Sequence, residues 1–365
     1  MSNNPDRPRL SRRAFLNRLC LGSAAAWMTP AAAPAGAQAS ERLKWIDVHH
    51  HFIPPGYRDF FLEVSTHSAT PVPMPPTHWE LTRDLEDLDR LGSAAILSMF
   101  VPPTLGTPAQ RASLARRINE GAAQLVRDHP GRFGSFAALP LPDVDASLAE
   151  IAYAAESLHA DGFAVYTNVG DRWLGDPSLE PVLAELHRRR AVVFIHPTTA
   201  QCCANLVKGI PDNIIEYAVD TTRAIASLIF NGVTTRYANV RFIFSHGGGT
   251  VPFLIERFLG GTSAEIVPGI VTSGQAGPYV PKQPPDGALA ELRKCYFDTA
   301  QCANPLAMRA LRTLVPVEQI LFGSDYFYRG VSDTAAALQA CAVFDTQELQ
   351  AIGGGNARRL IGRLA

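Results

Sequence analysis

The chain has 365 residues, of which 47% are hydrophobic and 18% charged, and its formal charge is −1. That is ordinary globular composition with ample apolar material for a core. Such a near-neutral balance gives no reason to expect a nucleic-acid partner.

Residues 1–39 read as an export signal, not as fold. Ser11-Arg12-Arg13-Ala14-Phe15-Leu16 is a twin-arginine core, followed by a weakly apolar stretch from Leu19 to Met28. The stretch is too short and too rich in Ala, Gly and Pro to span a bilayer. Ala37-Gln38-Ala39 fits a signal-peptidase site, which makes Ser40 the expected mature N-terminus and the periplasm or exterior the expected destination. Cys20 is not preceded by a lipobox. Cleavage leaves 28 basic against 33 acidic side chains, a formal −5. No other segment is apolar enough to insert in a membrane. Five cysteines remain, Cys202, Cys203, Cys295, Cys302 and Cys341, without zinc-finger spacing.

Residues 40–365 read as one domain. Eight short apolar runs are predicted as buried strands: Trp45–Phe52, Ala94–Phe100, Phe133–Leu141, Gly162–Asn168, Ala191–Pro197, Val240–His246, Cys295–Ala300 and Ile320–Tyr326. Near-continuous apolar runs suit parallel strands covered on both faces. Helical patterns lie between most of them, over Leu81–Leu91, Ala109–Asp128, Asp143–Leu158, Leu179–Arg190, Thr221–Tyr237 and Ala307–Leu314, and Thr346–Ile361 closes the chain. The alternation predicts an α/β fold, a (β/α)8 TIM-type barrel. A doubly wound sheet would carry a glycine-rich turn after its first strand, where His49-His50-His51 stands instead. Pro54–His78 and Gly260–Ala288 are weakly periodic and read as long loops.

In a barrel the strand C-termini open on one face. His49 and His51 end the first run, His196 the fifth, His246 the sixth and Asp325 the eighth, so all five are expected at one mouth. The i, i+2 spacing puts His49 and His51 on one face of a strand and His50 on the other. A lone histidine on an apolar strand is usually a satisfied core residue. Barrel-end matches in the correct strand order are much harder to obtain by chance. His49, His51, His196 and Asp325 are therefore assigned as ligands of one divalent ion. Zinc suits the ligand set best, with manganese or iron as alternatives. His246 is left for proton transfer or charge stabilisation. Gly247, Gly248 and Gly249 are expected to let substrate approach that imidazole.

Ile46-Asp47-Val48-His49-His50-His51-Phe52-Ile53-Pro54 resembles the first-strand motif of the amidohydrolase-related family that includes aminocarboxymuconate-semialdehyde decarboxylase. Phe194-Ile195-His196-Pro197, Phe244-Ser245-His246-Gly247-Gly248-Gly249, Tyr296-Phe297-Asp298-Thr299-Ala300, Leu321-Phe322-Gly323-Ser324-Asp325-Tyr326 and Gly355-Asn356-Ala357-Arg358-Arg359-Leu360 resemble its later motifs in order. The stretches 128–134, 139–145 and 220–228 look most like members of the 6-methylsalicylate decarboxylase type. The resemblance implies an amidohydrolase-superfamily barrel and non-oxidative decarboxylation of a small aromatic acid such as an ortho-hydroxybenzoate. Asp325 would deliver a proton to the ring carbon, with His246 relaying charge. Hydrolysis of a lactone, ester or amide at the same site is the alternative, and a binding protein without turnover is a distant third. Tyr166-Thr167-Asn168 stands where many relatives carry a carbamylated lysine, which implies a mononuclear site. Pro71–Trp79 lacks the substrate arginine of the muconate enzyme. Arg257 matches a second substrate arginine that crosses between subunits in that relative, which implies a homodimer.

Overall fold

The computed structural model describes residues 45–66, 79–260 and 282–364, with the side chains of 65 and 66 left aside. The export signal, and residues 261–281 of the 260–288 segment, lie outside the described residues. Eight strands form in the predicted places: β1 (Ile46–His51), β2 (Ala94–Ser98), β3 (Phe133–Ala138), β4 (Gly162–Tyr166), β5 (Val192–His196), β6 (Arg241–Phe244), β7 (Tyr296–Asp298) and β8 (Ile320–Leu321). They pair in parallel, in sequence order, from β1 to β8. Backbone bonds then join the last strand to the first: Val48 N–H donates to Phe322 O at 3.0 Å, and His51 N–H to Tyr326 O at 2.8 Å. These bonds, from the chain just after β8, nearly close the sheet into a barrel.

Strand alternation divides the apolar residues into two cores. On β5, Val192 and Phe194 join Ile46, Val48, Ile96, Phe100, Phe136, Ile243 and Leu321 inside the barrel. Val193 and Ile195, with Ala95 and Leu97 of β2, face the helical layer instead. His196 continues the inward parity of Val192 and Phe194, which aims it into the mouth.

β1 does not keep its parity. Its pairing to β2 runs Ile46↔Ala94 and Asp47↔Ala95, then His50↔Leu97 and His51↔Ser98, so one extra residue is inserted between Asp47 and His50. Ile46 and Val48 lie in the barrel interior, and strict alternation would have sent His50 inward after them. The bulge resets the phase, and His49 and His51 turn inward. Bulges commonly re-aim side chains beside active sites.

Most expected helices form, including Leu81–Leu91 and Pro108–Asp128. The latter starts on a capping box, with Thr107 and Gln110 satisfying each other's backbone amides. Two expectations need correction. Tyr57–Thr66, read as loop because of its proline-rich flanks, is a helix; Tyr57, Phe60 and Phe61 are buried in the outer core, and this burial supplies the stability that local propensity does not. The predicted helix 221–237 begins earlier and is broken at Gly232, giving Glu216–Phe230 and Val233–Arg236. Among the described residues no helix is long and apolar enough to cross a membrane.

Candidate metal centre

The structure brings His49, His51, His196, His246 and Asp325 to the same end of the barrel. One ligand atom from each of His49, His196, His246 and Asp325 lies within 4.8 Å of every other. His51 joins from the β1 side: its Nε2 is 3.2 Å from His49 Nε2 and 3.1 Å from Asp325 Oδ1.

Tautomers follow from the partners on the far side of each ring. His49 Nδ1–H donates to Asp298 Oδ2 at 2.7 Å. His51 Nδ1–H donates to Ser98 O at 3.3 Å, and His196 Nδ1–H to Pro197 O at 2.8 Å. None of these acceptors carries a proton of its own, so each Nδ1 is the donor and each Nε2 is left facing the mouth. This is the orientation in which a histidine ligates a metal through Nε2.

The electrostatics ask for a cation. Burial opposes charge on His49, but Asp298 and Asp325 outweigh it and push that imidazole up to about 10. Burial likewise opposes ionisation of Asp325, yet His49, His246 and His51 hold it well below the usual carboxylate range. Both shifts say that positive charge among these groups is stabilised. His51 and His196 are pushed down, mainly by burial, which keeps their Nε2 lone pairs available. His246 Nε2 is buried with no hydrogen-bond partner. The Nε2 atoms of His49, His51 and His196, aimed at one point beside the buried Asp325 carboxylate, fit a divalent ion.

The two oxygens of Asp325 face different neighbours. Oδ1 lies 3.2 Å from His49 Nε2 and 3.1 Å from His51 Nε2. Oδ2 lies 3.6 Å from His246 Nε2 and accepts from Gln301 Nε2 at 3.0 Å. His246, Gln301 and Asp325 all adopt positive φ, at 55°, 55° and 68°. Non-glycine residues in that region cost about 1–3 kcal/mol each. Local preference is therefore overridden where side chains must point into the mouth.

Several contributors were not assigned a role from sequence. Asp298 orients His49 and, through Oδ1, accepts from the backbone amides of His246 at 2.8 Å and Ala300 at 3.0 Å. It thus ties a β1 residue to a β6 residue. His50, on the outer side of β1, bonds Asp47 Oδ2 at 3.0 Å and Asp84 Oδ1 at 2.9 Å. Its ring stacks on Tyr326, the residue after Asp325, at 4.5 Å. Asp47 Oδ1 also accepts from the Ser324 amide at 3.0 Å, so this network clamps the end of β8 to the end of β1. Gly323 permits the approach: a Cβ there would lie 2.8 Å from His49 Cβ and 2.9 Å from Asp298 Cβ.

The glycines after His246 are also required by packing. A Cβ on Gly249 would lie 2.1 Å from Ala218 O, and one on Gly248 would lie 2.8 Å from the Phe297 ring. They let the turn pack against the neighbouring helix and strand. At the end of β4, Thr167 Oγ1 and Asn168 Nδ2 both donate to buried Asp220 Oδ2, the latter at 2.7 Å. Neither points a nitrogen ligand at the centre. Arg257 sits exposed in the last turn of Val251–Phe258, and the structure does not bring it to the five converging residues. Aromatic walls surround the mouth: Phe100 stacks on Tyr166 at 4.8 Å, Tyr217 is 6.2 Å from His196, and Tyr328 is 6.1 Å from His51.

The barrel and its histidine–carboxylate mouth define a barrel enzyme with a candidate metal site, and the chain belongs to the amidohydrolase family, whose sequence model matches residues 46–363. Over 318 residues it is 36% identical to the 6-methylsalicylic acid decarboxylase of Aspergillus aculeatus, a match covering 80% of this chain and 90% of that one. It is 27% identical over 284 residues to the 2-amino-3-carboxymuconate-6-semialdehyde decarboxylase of Dictyostelium discoideum, covering 78% of this chain and 75% of that one. Among solved structures, the dihydroxybenzoic acid decarboxylase of Polaromonas sp. JS666, which holds manganese and 2-nitroresorcinol, shares the fold with a TM-score of 0.71. That match has 17% identity and covers 87% of this chain and 97% of the other.

Asp298→Asn is expected to lower metal affinity about 10–100-fold, the usual effect of losing an outer-sphere partner. The asparagine must keep its oxygen on the His246 and Ala300 amides, so its NH2 meets His49 Nδ1 and forces the Nε2–H tautomer. Competition against a chelator reads the affinity; an unchanged value in a folded variant would remove Asp298 from this role.

Proposed function

We propose that the protein is a metal-dependent decarboxylase of a small ortho-hydroxybenzoate-like acid. The observation that carries the reading is the divided environment of Asp325, with ligand-type nitrogens on Oδ1 and a proton-handling imidazole on Oδ2. Similarity to the 6-methylsalicylic acid decarboxylase supports the substrate class. His49, His51, His196 and Asp325 would hold one divalent ion. Zinc is the identity the donor set favours, and manganese is present in a structural relative. When bound, such an ion supplies Lewis acidity and a template for neighbouring phenolate and carboxylate oxygens.

The chain's own groups then divide the work. Phe100, Tyr166, Tyr217 and Tyr328 offer flat faces to an aromatic ring. Burial pushes the phenols of Tyr166 and Tyr217 up, and that of Tyr328 up to about 12, so they present neutral hydroxyls. Decarboxylation needs a proton at the ring carbon that bears the carboxylate. Asp325, held anionic at rest, must first receive that proton on Oδ2; His246 Nε2 is the imidazole placed to pass it. Gln301 fixes Oδ2 by donating to it. Loss of carbon dioxide from the protonated carbon restores aromaticity.

Two finer readings accompany this one. The twin-arginine core supports export, and a homodimer is supported by exposed Phe253 and Leu254 on the helix that carries Arg257. An Arg12→Lys, Arg13→Lys variant that still accumulates outside the cytoplasm, or a monomer at micromolar concentration in sedimentation, would contradict them in turn.

A panel of hydroxybenzoates and lactones, with carbon dioxide and acid release followed separately, tests the chemistry. Carbon dioxide from a hydroxybenzoate is expected; acid release from a lactone alone would assign hydrolysis instead. Within that assay His246→Ala should keep its metal and lose about 10²–10⁴-fold in kcat, the usual cost of a positioned proton-transfer group. His196→Ala should lose metal. Metal loss or full activity in His246→Ala would overturn the division of roles.

A further inference from the structure

The loop that leaves β5 carries a feature the decarboxylase reading does not use. Shortly after His196 the chain makes a single 3-10 turn, Gln201–Cys203. An extended segment would send adjacent side chains to opposite faces. The turn keeps Cys202 and Cys203 together, with their Sγ atoms 2.7 Å apart. Cys202 is exposed and Cys203 half-buried. The turn is anchored at both residues: Cys202 N–H donates to Asp171 Oδ1 at 2.9 Å, and Cys203 N–H to Ala200 O at 3.0 Å. Asp171 lies on the loop after β4, so the pair joins two loops of the same end of the barrel.

The other cysteines are placed differently. Cys295 and Cys341 are buried. Burial pushes the Cys295 thiol up to about 12 and that of half-buried Cys302 well above its ordinary value, which leaves both as poor nucleophiles. Reaction with an external disulfide therefore falls to the adjacent pair.

We propose that Cys202 and Cys203 form a reversible thiol–disulfide site, closed to an eight-membered ring by exchange with a small-molecule or protein disulfide. The Cys203 thiolate attacks one sulfur of the external disulfide, forming a mixed disulfide and releasing the first thiolate. Cys202 gives up its proton to solvent or to that leaving thiolate. Its sulfur attacks Cys203 Sγ and expels the second thiolate. Two protein thiols are oxidised and one external disulfide is reduced to two thiols, with no other reagent. The adjacent Cys203 sulfur pushes the Cys202 thiol up to about 11. Adjacent α carbons are about 3.8 Å apart, shorter than disulfides usually span, so the ring is readily reduced again.

The full-length protein, equilibrated with oxidised glutathione, alkylated with N-ethylmaleimide and digested, gives the test by mass spectrometry. The peptide containing Cys202 and Cys203 should lose two hydrogens and take up no maleimide, and dithiothreitol should restore both alkylation sites. Cys202→Ser, an exposed substitution, should retain one glutathione on Cys203 because the resolving thiol is gone. Alkylation of both wild-type thiols after glutathione treatment, a disulfide between chains, or a Cys202→Ser variant that retains no glutathione would each overturn the proposal.

Discussion

Imidazole lone pairs and carboxylate oxygens held a few ångströms apart repel unless positive charge lies among them. Much of the upper end of this barrel is arranged to hold such groups together all the same. Nε2 atoms of His49 and His51 sit 3.2 Å apart, and both face Asp325. Asp298 and the Ser98 and Pro197 carbonyls fix the rings from behind. The His50 network clamps β1 to β8 so that the imidazole pair and the carboxylate cannot drift apart. Without a cation the arrangement is costly, and a proton on His49 is only a partial remedy. With a divalent ion the same contacts become a ligand set.

That constraint explains several of the places where the chain accepts unfavourable local geometry. The bulge in β1 sacrifices one ladder position to turn two histidines inward. His246, Gln301 and Asp325 sit at positive φ, each at the end of a strand where the side chain must turn into the mouth. Gly323 is bare because His49 and Asp298 pass too close for a methyl group. Strain of this kind persists only where surrounding structure over-determines it, and the barrel's nearly closed hydrogen bonding supplies that rigidity.

Much of the fold was legible in the sequence, because buried parallel strands leave near-continuous apolar runs and polar residues at their C-terminal ends stand out. His49, His51, His196, His246 and Asp325 could be found this way. Asp298 belonged to a recognised motif, yet nothing local says that its carboxylate reaches a histidine 249 positions earlier. The partnership of His50 with Asp84 likewise depends on how the helix Leu81–Leu91 lies against β1. The bulge was invisible, since the spacing of the histidine pair is right whichever phase precedes it. The helix Tyr57–Thr66 was missed because tertiary burial, not sequence periodicity, stabilises it. The glycine run was read for substrate access alone, and the close packing at Gly248 and Gly249 depends on tertiary neighbours that no local pattern names.

The central claim is that one divalent ion resolves the mutual repulsion of these groups and makes the site active. Elemental analysis of active protein, combined with chelator removal and titration of zinc or manganese back into the stripped chain, tests it most directly. The account predicts one metal per chain, with activity lost on stripping and restored in proportion to occupancy up to that single equivalent. Two metals per chain, or full activity in a preparation that holds none, would contradict it.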